Sequence, residues 1–180
     1  QKLQLRYMDK PQDGEHLTGV LCGENYISAP GAFIPKDTFK KYGKYDTAYC
    51  LEDFEFWLRI SVDGCIRYVD SITALYRQNE NSLSRFDTSA KAIQRHQKFS
   101  RDKIHIFFKY QKYANRIQTE YFFNSELDSA IGTNDRIMVK EISGIMKKEN
   151  LKISMYNSLR IPLVNMRLYV VLKKIKQKFK

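Results

Sequence analysis

Apolar positions follow a mixed pattern in the first half of the chain and a helical one in the second. Tyr26 to Ile34 is mostly apolar or small, with Pro30-Gly31 inside it, which suits an interrupted strand. Pro35 opens a short helix, and Gly43 is placed to end it in a left-handed conformation. Asp53 to Val62 reads as a helix with Phe56, Trp57 and Ile60 on one face and Gly64 as its C-cap. Cys65–Val69 and Ile72–Tyr76 alternate enough to suggest two short strands turned by Asp70-Ser71.

Beyond a polar linker, Asn79 to Ser84, the period changes. Residues 88–124 carry Ile104, Phe107, Phe108, Gln111, Ile117, Tyr121 and Phe122 at helical spacing. Residues 134–149 repeat it with Ile137, Ile142, Ile145 and Met146, and a last helix is expected after Pro162. The boundary falls near Arg85, giving a mixed region over 1–85 and a helical region over 86–180.

Composition adds three constraints. At 43% hydrophobic and 13% aromatic, the 180 residues can bury a core. No apolar run approaches the roughly 20 residues that span a bilayer, and nothing at the start resembles a signal peptide. The three cysteines (Cys22, Cys50 and Cys65) are odd in number and lack metal-ligand spacing, so reduced thiols of a cytoplasmic protein are expected. The net charge of +11 is local: residues 150–180 hold eight Lys or Arg and no acid.

Chemistry concentrates in Leu-Glu-Asp-Phe-Glu-Phe-Trp-Leu-Arg, residues 51–59. Paired carboxylates at a helix start are favoured by exposed N–H groups and the dipole alone, so the pair needs context. The context is an ordered set: Asn25-Tyr26-Ile27, Ala29-Pro30, Tyr42 to Asp46, Glu52 to Arg59, Gly64, Tyr76-Arg77, then Ser82 and Ser84.

That set resembles the second half of the catalytic domain of family 2 inverting nucleotide-sugar glycosyltransferases. The resemblance implies an α/β fold (α+β for this portion alone): part of a type A glycosyltransferase domain followed by a helical region. It implies that Asp53 is the general base that deprotonates an acceptor hydroxyl, with Glu52 beside it holding the acceptor or the local backbone. Substrate contacts would come from Asp46, Trp57, Arg77 and Asn79. Trp57 is either a platform under a sugar or a core anchor. Arg77 is a diphosphate partner or a strand-end salt bridge. Arg59 reads as an ion-pair or backbone-tethering residue.

Asn79 stands where the family often has His, which argues against metal ligation there. The family's Asp-x-Asp motif is absent from these residues. A divalent cation, Mg or Mn, is therefore expected only for a longer enzyme, with none held by this portion, which would be silent alone. The implied partners are a nucleotide-sugar donor and a saccharide or lipid-linked acceptor.

Two further surfaces come from the residues themselves. Leu168, Leu172, Ile175 and Phe179 form a stripe among lysines, so residues 165–180 are either a solvated packed helix or a contact with the inner face of an anionic membrane. The alternative to an enzyme is a non-catalytic basic module for nucleic acid or anionic membrane. Nucleic acid is disfavoured, because the aromatics fall at core spacing and the charge sits in one tail.

Overall fold

The computed structural model describes residues 17–75, apart from Glu24, Tyr26, Cys65, Tyr68 and Asp70, and residues 90–166. Its regular structure is entirely helical. The helices are α1 (Leu17–Gly23), α2 (Lys36–Tyr42), α3 (Glu52–Ser61), α4 (Ala90–Tyr110), α5 (Arg116–Gly132), α6 (Arg136–Lys148) and α7 (Met155–Asn165). Single 3-10 turns lie at Ala29–Gly31 and Gln111–Tyr113.

The α/β expectation is therefore wrong for the described residues, which form an all-α fold without a strand. A strand must give its N–H and C=O groups to a neighbour, and among the described residues of the expected strands no ladder forms. Residues 27–34 turn at Ala29–Gly31, and the expected hairpin has no regular structure among its described residues. Thr73 Oγ1 donates to the Gly31 carbonyl at 3.2 Å, a side-chain link rather than a ladder bond. Phe33, Val69, Ile72 and Leu75 are exposed, while Ile27, Ile34 and Ile66 pack against the core from irregular backbone.

The C-terminal helices are held by strong local signals. Asn115 caps α5, accepting from the Gln118 N–H, while the Gln118 side chain accepts from the Asn115 N–H in a capping box. Asp135 caps α6 and Ser154 caps α7 in the same one-sided way. Helices α5 and α6 end at Asn134 (φ 57°) and Asn150 (φ 51°). Each has the paired backbone bonds of a Schellman stop: Asp135 N–H to Ala130 O at 2.9 Å, and Leu151 N–H to Met146 O at 2.8 Å. Helix α7 takes in residues 155–162, where no helix is expected, and has Pro162 inside it, while the helix expected after Pro162 lies almost wholly outside the described residues.

One buried cluster joins residues from both sides of Arg85. Leu21, Phe54, Phe56 and Leu58 meet Ile106, Phe107, Phe123 and Leu127. Phe107 stacks on Phe122 with centroids 4.4 Å apart and meets Phe123 edge-on at 5.3 Å. Such pairs add about 0.5–1.5 kcal/mol beyond the area they bury. Helix α1 packs against α3, α4 and α5, which closes the layer over α3. Ile117, Tyr121 and Ile137, expected inward, are exposed; Met138 and Val139 fill the core side of α6 instead.

Candidate functional site

Helix α3 places the carboxylates. Its launch is held from α4: the Cys50 N–H donates to Asp102 Oδ2 at 2.7 Å, and Tyr49 meets His105 edge-on. Glu52 and Asp53 then occupy the first turn, where unpaired N–H groups and the dipole favour anions. Glu52 is exposed and Asp53 half-buried. Asp53 Oδ1 accepts from the Phe54 N–H at 2.7 Å. No Lys or Arg among the described residues pairs with it. Burial raises the Asp53 pKa above the ordinary aspartate range, and the Glu52 charge adds to the rise against the Phe54 bond. Tyr45 is raised too, first by burial and then by these two carboxylates.

The other expected substrate residues fare differently. Trp57 is 3% exposed, in contact with Phe56, and offers no face to a sugar. The area gained by burying so large a ring decides its position, so the platform assignment is corrected to a core anchor. Asp46 accepts from the Ala48 N–H at 3.0 Å and shapes the turn before α3. Arg77, Asn79 and the tail from residue 167 lie outside the described residues. Gly64 is no left-handed cap: its N–H donates to Ile60 O, and a Cβ there would come within 2.5 Å of that oxygen. Gly43 has the positive φ expected of it, 80°, with an extended ψ.

The residue the sequence reading passed over is Glu55, whose side chain is wholly buried. It accepts from Arg59 (2.7 Å), Lys109 (2.7 Å) and the Tyr110 hydroxyl (2.8 Å). Burial alone would raise its pKa; these donors reverse that and hold it below the ordinary glutamate value. Arg59 also donates to the carbonyls of Tyr42 and Lys44, so it both pairs and tethers, as expected of it. The i,i+4 spacing of Glu55 and Arg59 was the available signal. What spacing could not show was that α4 supplies the other two donors.

Among the described residues, two of the clefts are lined by neither Asp53 nor Glu52. The first, about 390 Å³, is bordered by Lys41, Arg59, Lys109, Lys112 and tyrosines. It lies where α2, α3 and α4 all end. Three negative dipole ends account for that basic cluster without an anionic ligand. The second, about 260 Å³, is bordered by Asn25, Phe54, Lys103, Phe122 and the buried Glu126. Glu126 accepts from Lys103 at 2.8 Å and from the Ser100 hydroxyl at 2.9 Å. Elsewhere His96 Nε2 and Ser129 Oγ lie 2.6 Å apart, tying α4 to α5.

Among the described residues no group of three His, Cys, Asp or Glu is placed to hold a metal ion. Cys22 is buried, its thiol pushed up to about 12 by desolvation, and it donates to Tyr110 O; Cys50 is also a free thiol. No described helix is long and apolar enough to cross a membrane. No protein-family model, curated protein or solved structure matches this chain.

Proposed function

We propose that this chain is the acceptor-side portion of an inverting nucleotide-sugar glycosyltransferase, with Asp53 as the general base. The observation that carries the reading is the state of Asp53: a half-buried carboxylate without a cationic partner among the described residues, raised in pKa and mounted on a rigid first turn. Backbone N–H groups offset only part of its desolvation, and a half-buried acid without a cationic partner among the described residues suits a proton-transfer group. Its raised pKa makes it a better proton acceptor once ionised. Glu52, one residue earlier and exposed, is free to bind the acceptor.

The acceptor hydroxyl would give its proton to Asp53 as its oxygen attacks the anomeric carbon. The nucleoside diphosphate leaves with inverted configuration at that carbon. Donor binding, and any cation on the diphosphate, falls to residues other than those described here. The working location is the cytoplasmic side, where nucleotide sugars are the donors.

The test is Asp53→Asn in the full-length enzyme, assayed for sugar transfer and for nucleotide-sugar affinity. Transfer should fall about a hundredfold or more, with affinity near wild type. Wild-type turnover by the variant would refute the base assignment.

A further inference from the structure

Helix α3 starts without a cap of its own. Its N-cap position is Leu51, which offers no side-chain acceptor, whereas α5, α6 and α7 begin on Asn115, Asp135 and Ser154. The turn that leads into α3 places its N–H groups one by one. Ala48 donates to the Asp46 carboxylate at 3.0 Å, and Tyr49 to the Asp46 carbonyl at 3.3 Å. Cys50 donates to Asp102 Oδ2 at 2.7 Å, across 52 residues of chain. Among the described residues Asp102 makes no ion pair, so its hydrogen bond goes to the launch of α3.

This bond belongs to a longer contact. Asp102, His105 and Lys109 recur at three and four residues along α4, on one face over about 10 Å. In that order they meet Cys50, Tyr49 (edge-on, ring centroids 5.7 Å apart) and the buried Glu55 (2.7 Å). Asp53 lies between the two anchored residues, Cys50 and Glu55. A base must keep its oxygen within reach of the proton it takes, and a misplacement of about 1 Å can cost a hundredfold in rate. The Glu55 contact fixes the body of the helix, and the Asp102 contact fixes the approach to its first turn.

We infer that Asp102 is a positioning residue for Asp53, a remote acceptor that sets how the first turn of α3 presents its carboxylate. The inference rests on the reading of Asp53 as the base. The half-burial that raises the Asp53 pKa depends on the same placement. Loss of the Asp102 acceptor opens the first turn to water and returns Asp53 to ordinary aspartate behaviour.

Titration of the Asp53 carboxyl by carbon NMR in the 180-residue chain tests this, with hydrogen exchange at the Cys50 amide read in parallel. Asp102→Asn removes the charge but keeps an acceptor oxygen; Asp102→Leu removes both. Glu52 and Tyr45, the titratable groups coupled to Asp53, stay in place throughout. Asp53 should titrate above the ordinary aspartate range in the wild type and in Asp102→Asn, and fall toward that range in Asp102→Leu. Exchange at Cys50 should quicken about tenfold or more in Asp102→Leu, with circular dichroism unchanged. If Asp102→Leu does not fold, Asp102→Ala makes the same comparison. Three results overturn the inference: a titration in Asp102→Leu that matches wild type, an equal fall in Asp102→Asn and Asp102→Leu (charge alone then acts), or Cys50 exchange that no variant alters. A wild-type Asp53 that titrates as an ordinary aspartate instead refutes the base reading, and the positioning role with it.

Discussion

Glu55 and Lys109 stand 54 residues apart in the chain, and their side chains meet at 2.7 Å with the glutamate wholly out of solvent. This pair, with Arg59 and Tyr110 on the same carboxylate, fastens α3 to the end of α4. Arg59 carries the tie on to the carbonyls of Tyr42 and Lys44, in the segment that leads to Asp46. The site helix is therefore held from two directions by one buried acid.

Truncation of Glu55 should be severe. Glu55→Ala leaves Lys109 and Arg59 without their shared anion and should cost about 3–5 kcal/mol, read as a shift in the urea midpoint. The pH dependence follows from its lowered pKa. The ionised form is favoured by folding, so the stability it contributes is present above the unfolded glutamate value, about 4.3, and is lost as pH falls through the lower folded value. Glu55→Gln should flatten that acid limb. An unchanged limb would show that the carboxylate is not the titrating group.

Asp53 should behave in the opposite sense. Its folded pKa is raised, so it favours folding most below the unfolded aspartate value, about 3.9, and that contribution is lost as pH rises through the folded value. Asp53→Asn should therefore raise the melting temperature at pH 7, with the gain vanishing near pH 3. A variant less stable at pH 7 would mean that Asp53 is a structural cap.

Two glycines separate close approach from helix propensity. Gly64→Ala forces a Cβ to 2.5 Å from Ile60 O and 2.7 Å from the Tyr42 hydroxyl, which should cost about 1–3 kcal/mol. Gly144, within α6, has nothing within 4 Å of such an atom. Gly144→Ala should stabilise by about 0.5–1 kcal/mol, and paired denaturation curves of the two variants check both signs.

The stop of α6 gives a further check. Asn150 holds φ at 51°, where a Cβ-branched residue is strained. Asn150→Val should lose about 1–2 kcal/mol in thermal unfolding, while Asn150→Gly should match wild type within a few tenths.

Local chemistry made much of this protein legible without coordinates. The run from Glu52 to Arg59 is a helix with its acids in the first turn and apolar residues on most of its circumference, as a helix buried nearly all round requires. Helices α4 and α6 follow from their period, whereas Ile117 and Tyr121 of α5 face outward and the period does not predict α7 over 155–162; Asn115, Asp135 and Ser154 mark the starts of α5, α6 and α7 locally. These signals act within four or five residues, the distance over which capping and periodicity operate.

Tertiary structure decided the rest, because the deciding partners are remote in sequence. Period-two alternation around Val69 and Ile72 becomes a strand only if another strand takes its backbone groups, and none among the described residues does. Trp57 went to the core because α3 is covered by α1 and shares its buried cluster with α4 and α5. Glu55 became a buried hub because Lys109 and Tyr110 arrive from 54 and 55 residues away. Asn157 of α7 is buried because the Asn124 carbonyl, 33 residues away, takes its amide N–H. Each outcome rests on which surfaces meet, and spacing along a chain carries that information only for neighbours.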